Sequence, residues 1–278
     1  APRRARGRLD ARSAVGLSMP GWWQRWRDWR AARTLERRPI PDELWRLTLA
    51  RFPFLAHRPA PAVDRLRAMA TLFLDDKEFT GAGGLEVSDE MAVAIAAQAC
   101  LPVLELGLAW YDGFKGIVVH PDVVVARREI VDDDGIVHRY EEELSGEAME
   151  GGPVMLSWQD VADAGESAEW GYNVVVHEFA HVIDMRDGAS DGVPPLPDRA
   201  AHAHWCAVID TEWERFGAEV DAGHDTLLDP YGAEGVDEFF AVASEAFFVV
   251  PGAMRREHPA LYELMRGFYR QDTAADAP

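Results

Sequence analysis

Two cysteines in 278 residues, Cys100 and Cys206, lie far apart and form no CxxC pair. That excludes a disulfide scaffold and a cysteine-rich zinc module, and it fits a reducing, cytoplasmic compartment. No apolar run reaches the ~18 residues of a membrane-spanning helix. Positive charge is also scarce. Lys and Arg total 28 against 48 Asp and Glu, for a net charge of −20. A phosphate backbone needs a basic face, so direct nucleic-acid binding is excluded as the general function. No internal repeat is visible. What remains is 48% apolar residues with 27% charged, the composition of a globular chain with a sizeable core.

The charge is unevenly spread. Eleven arginines against Asp10, Asp28 and Glu36 give residues 1–38 a charge of +8, leaving −28 for the rest. Residues 1–18 lack helical or strand periodicity and the apolar core of a secretory signal, so a disordered basic arm is expected. Met19 suggests that these residues are an upstream extension. Trp22, Trp26 and Trp29 share one helical face. That face serves either a membrane surface or packing on the domain, and packing is the favoured reading.

Residues 19–272 read as one α+β domain. Its helical N-terminal part runs to about 108 and its catalytic part covers about 109–272, with 273–278 as a disordered tail. Helices are expected over 42–54, around 63–73, and from 89 to Cys100 with Ser88 as N-cap. Short strands follow at 117–119, 123–125, 130–131, 136–137, 140–144 and 154–156, with Asp132-Asp133-Asp134-Gly135 as a hairpin turn. Further helices are expected near 168–185, 198–216, 235–249 and 257–270.

His177-Glu178-Phe179-Ala180-His181 carries the chemistry. Two histidines at i and i+4 project from one helical face and suit a single Zn²⁺. Glu178 is rotated away and can act on a water without ligating the metal. Apolar Val174, Val175, Phe179, Val182 and Ile183 argue that the helix is buried, where a histidine pair needs a partner. A catalytic zinc wants a third ligand. Asp184 and Asp187 occupy the positions where HExxHxxGxxH would have Gly and His, so the ligand comes from elsewhere. Candidates are His202, His204, His224, Glu238, Glu245 and His258. Glu238 and Glu245 are seven residues apart in a strongly apolar stretch, where a carboxylate is costly unless paired. A metal solves this for Glu238. Glu245 then either orients a ligand imidazole or forms an ordinary ion pair. His202 and His204 read as surface or packing residues.

Three segments together resemble the Mlc titration factor A family: His177-Glu-Phe-Ala-His181-Val-Ile-Asp184, Asp229-Pro-Tyr231-Gly, and Glu238-Phe-Phe-Ala-Val-Ala-Ser-Glu245. Trp110-Tyr-Asp-Gly113, Ser145-Gly-Glu147 and Gly152-Pro-Val-Met-Leu-Ser157-Trp add to the match. The likeness covers about residues 19–270. It implies a bacterial, glucose-regulated zinc metallopeptidase with a gluzincin-like fold and one zinc per chain. The ligands so implied are His177, His181 and Glu238, with Glu178 as general base and acid and Tyr231 as the active-site tyrosine. It further implies aminopeptidase-type cleavage of short peptides and binding to a glucose-responsive transcriptional repressor. In a better-known gluzincin pattern an acid follows the Glu ligand by four. Val242 stands there, so orienting a histidine falls to Asp184, Glu245 or Asn173.

An aminopeptidase needs a carboxylate for the substrate amine, and Glu143 and Glu147 are candidates. The strand Pro153–Trp158, which carries Met155, is either an edge for an extended peptide or an ordinary buried strand. The alternative to an enzyme is a binding protein that sequesters a regulator and has minor or latent peptidase activity. A structural zinc site is disfavoured, because such sites are closed by four Cys or His ligands.

Overall fold

The computed structural model describes residues 21–122, 124–131, 137–144, 146–149, 151–165 and 171–275, with side chains at all of these except 21–24, 124–131, 137–144 and 147. The expected arm at 1–18 lies outside the described residues, as does the Asp132–Gly135 turn.

The N-terminal half is helical: α1 (Gly21–Arg37), α2 (Asp42–Arg51), α3 (Pro53–Ala56), α4 (Ala60–Asp76) and α5 (Asp89–Cys100). Ser88 caps α5 by accepting the Met91 N–H, and Asp89 and Glu90 lie on its positive end. Every residue from Val93 to Cys100 is buried, so α5 is a central helix with no solvent face. In α1 the Trp22 side chain lies outside those described, and the packing expected of the other two tryptophans does not form. Trp26 and Trp29 are exposed, with Arg30 and Arg33 over their rings, and the half-buried residues are Ala31, Thr34 and Leu35. Thr34 on that face donates to Asp75 of α4 at 3.1 Å.

The sheet comprises β1 (Glu78–Gly81), β2 (Gly116–His120), β5 (Gly146–Ala148) and β6 (Val154–Ser157) in the order β1-β2-β6-β5. The first three strands are parallel, and β5 is antiparallel to β6. β6 is therefore paired on both sides, so the buried-strand reading of Pro153–Trp158 holds, and the outer strand beside it is β5. A separate hairpin, β3 (Val124–Val131) with β4 (Val137–Leu144), leads into β5.

The C-terminal half contains α6 (Trp158–Asp163), α7 (Val174–Asp184), α8 (Arg199–Asp221), α9 (Val236–Val249), α10 (Pro251–Glu257) and α11 (Pro259–Tyr269). Helices and a small, mostly parallel sheet make this an α+β fold. Phe179 of α7 meets the rings of Phe73, Tyr111 and Phe114 at centroid distances of 5.7, 5.0 and 5.8 Å. Burial of such a ring stabilises by roughly 1.5–3 kcal/mol, and this cluster fixes which face of α7 turns inward. Lys77 ties the same region together, donating to the carbonyls of Tyr111 and Phe114 at 2.6 and 2.8 Å. Of the expected tail, residues 273–275 form a turn, and 276–278 lie outside the described residues. Ala274 is buried and its N–H donates to the Tyr262 hydroxyl.

Candidate metal centre

Asn173 starts α7. Its side-chain oxygen accepts the Val176 N–H at 2.9 Å, and its amide donates to Gln98 of α5 at 2.8 Å. The first turn of α7 is thus bolted to the central helix, and His177 follows one turn later. The rings of His177 and His181 stand 4.9 Å apart, with their Nε2 atoms 3.2 Å apart. Glu238, in the first turn of α9, brings its Oε2 to 3.0 Å from His177 Nε2 and 3.3 Å from His181 Nε2. Among the described residues these three form the one group able to hold a metal.

The donor set fits a tetrahedral ion. Ligands bound at ~2.0–2.1 Å along tetrahedral directions are about 3.3–3.4 Å apart. The three separations found here lie at or just below that edge length. Three lone-pair donors that converge on one point need positive charge between them.

Glu245, two turns along α9, accepts from His177 Nδ1 at 2.8 Å and also from the backbone N–H of Asn173. Holding Nδ1–H in this way leaves Nε2 free to face the other donors. The electrostatics follow from this packing. Burial pushes Glu238 up, but the two imidazoles outweigh it and hold its pKa down at about 2. Burial opposes charge on His177, yet Glu238 and Glu245 raise it well above the ordinary imidazole value. Burial raises Glu245, with His177 opposing. Glu178 lies outside the convergent group. It is buried, and desolvation lifts its pKa to about 7, against the pull of both histidines.

Tyr231 sits on a 3-10 turn, Pro230–Ala233, with its ring 6.0 Å from that of His177. Asp229 accepts the Tyr231 N–H at 2.9 Å, and Trp213 of α8 donates to the Gly232 carbonyl at 3.2 Å, so the turn is pinned at both ends. Asp184 touches neither histidine through a hydrogen bond. It accepts the Gly192 N–H at 2.8 Å and clasps the loop after α7, which Trp205 holds from the other side at the Gly192 carbonyl. Gly192 has φ +75°, and a Cβ there would lie 2.5 Å from the Val236 carbonyl oxygen. Asn173 acts through its backbone N–H on Glu245 and through its cap, with no contact to a histidine ring.

Met155 is half-buried in β6, registered between Val118 and Glu147. The side chains of Glu143 and Glu147 lie outside those described. Of the other candidate ligands, His258 is buried against Glu212 and Arg215, and His202 faces Cys206. A residue the sequence reading passed over is Gly146. A Cβ there would lie 2.4 Å from Glu178 Oε1. A glycine within a short strand signals such a close approach, but its partner shows only in three dimensions.

Comparison with known proteins bears on this centre. The family described as glucose-regulated metallo-peptidase M90 matches residues 26–270. The chain belongs to this family. Mlc titration factor A of Klebsiella pneumoniae is 37% identical over 234 residues, covering 83% of this chain and 87% of the relative. Mlc titration factor A of Salmonella arizonae is 37% identical over 83% of this chain and 92% of its own. An uncharacterized protein of Synechocystis is 37% identical over 88% of this chain and 89% of its own. Membership identifies a metallopeptidase family, and the match spans both the HExxH helix and the helix that carries Glu238.

Proposed function

We propose that this M90 chain is a zinc-dependent peptidase that hydrolyses short peptides, with His177, His181 and Glu238 as ligands. The observation that carries the reading is the convergence of two Nε2 atoms and one carboxylate oxygen at separations of 3.0–3.3 Å. Bound there, zinc supplies Lewis acidity, lowering the pKa of water toward ~7 and polarising a carbonyl. Glu245 fixes the His177 tautomer. Glu178, desolvated and held off the ligand group, takes the proton of the attacking water and delivers it to the leaving amine. The Tyr231 hydroxyl donates to the charge that develops on the carbonyl oxygen. β5 offers its outer edge to an extended peptide, since β6 already uses both of its own. Two cysteines that form no disulfide are consistent with a reducing compartment.

A second reading has its own support in the name of the relatives, Mlc titration factor A. In it the chain also binds a glucose-responsive transcriptional repressor, and peptide hydrolysis is separate from that binding. Glu178→Gln separates the two. It keeps the ligand set and the outer surface, so metal content and any repressor complex persist while hydrolysis falls to background. Retention of hydrolysis by this variant contradicts the role given to Glu178. Loss of repressor binding would join the two activities at one site.

A further inference from the structure

A cavity lies beyond Glu178 along the path of α7. Glu178, Val182 and Met185 are at i, i+4 and i+7 of one helix path, so they form a single stripe that runs from the base past the end of α7. β5 runs along the same path. Gly146 presses on Glu178, and just past β5 the residues Met149 and Gly152 join Val182, Met185, Trp110 and Phe114 around a cavity of about 650 Å³. Seven residues of helix span about 10 Å. Three residues of strand, from Gly146 to Met149, also span about 10 Å. Helix and strand thus agree that the cavity lies three residues of extended chain away from the base.

The direction of a bound peptide follows from the strand. Antiparallel pairing is the more stable. A peptide antiparallel to β5 puts its N-terminal part toward the cavity and its C-terminal part toward Gly146. Trp110, Phe114, Met149, Val182 and Met185 give the cavity its apolar surface, and Asp112, Arg186 and Asp187 also line it. Met149 stands at its rim with 43% of its surface exposed, while Tyr231, 39% exposed, stands by the histidines. Large apolar side chains left in solvent mark a surface suited to contact.

We propose that this cavity receives an apolar side chain of the substrate about three residues upstream of the cleaved bond. The enzyme therefore cuts inside oligopeptides and is not confined to releasing one N-terminal residue. This inference rests on the peptidase reading and specifies the substrate class of the same site.

The test uses the full, metal-loaded chain with three substrate types. Two are internally quenched peptides with acetylated N-termini, one with Phe and one with Gly three residues before the cleaved bond. The third is a set of single amino-acid p-nitroanilides with free amines. The expected result is internal cleavage of the acetylated peptides, with the Phe peptide favoured by about tenfold in kcat/KM. Met149→Ala alters an exposed side chain and leaves the fold intact. It is expected to raise KM for the Phe peptide several-fold while kcat and the Gly peptide change little. Cleavage of p-nitroanilides with none of the acetylated peptides overturns the subsite and leaves the peptidase reading standing. Equal rates for Phe and Gly, or an unaltered KM in Met149→Ala, also overturn it. Failure to cleave any substrate overturns both.

Discussion

Tyr231 and Asp184 show how two residues close to the same histidines come to do different work. The Tyr231 ring lies 6.0 Å from that of His177 on a turn pinned at both ends, and the role proposed for its hydroxyl is to donate to the substrate carbonyl. A donor that acts on developing charge affects the transition state more than the bound substrate. Tyr231→Phe is expected to lower kcat by about 10²–10³-fold with unchanged metal content and melting temperature. Steady-state kinetics on the zinc-loaded variant would contradict this by showing full turnover. Asp184 instead bonds the loop after α7 at the Gly192 N–H, and an effect on stability is expected of it. Burial lifts its pKa from 3.8 to about 6, so the folded state disfavours its charge. Its contribution is fully present below the unfolded value and is lost as pH rises through about 6. The melting temperature of the wild type minus that of Asp184→Asn should therefore fall between about pH 4 and 6.5, and a flat difference would remove the effect. The sequence already showed His177, Glu178 and His181, because helical spacing alone puts them together. It left three residues as possible orienters of a histidine, since a contact between residue 177 and residue 245 depends on how two helices cross.

Among the elements, α5, α7 and α9 were legible because each is a long apolar run with an N-cap or an acidic first turn. β1, β5 and α6 were not, since three to six residues are too short for a period to show. Nor could periodicity say which face of α1 turns inward, where Ala31, Thr34 and Leu35 are the half-buried residues. β5 matters most for function. It lies against α7 only because Gly146 has no side chain, and a methyl there would overlap the Glu178 carboxylate. Gly146→Ala should displace the base by a fraction of an ångström or more and lower kcat by about 100-fold. Metal content should be unchanged, because no ligand moves. A variant with wild-type turnover would show that β5 yields easily and does not position Glu178.

At the scale of the whole molecule, an acidic α+β body brings two helices together over a buried network. α7 carries two histidines and a buried glutamate, and α9 carries two acids two turns apart. Glu238 closes the group of donors, while Glu245 backs it from behind. On the proposed ligand assignment this arrangement makes the two acids unequal in metal binding, and only a fold in which both helices keep their register produces it. The most direct measurement is the zinc content, by elemental analysis after dialysis against a competing chelator, of the wild type, His177→Ala, Glu238→Gln and Glu245→Gln. One zinc per chain is predicted for the wild type. His177→Ala and Glu238→Gln should lose it, because two remaining ligands hold zinc weakly. Glu245→Gln should keep it, with affinity reduced by at most about 10–100-fold. A zinc-loaded Glu238→Gln protein beside a zinc-free Glu245→Gln protein would contradict the ligand assignment on which the account rests.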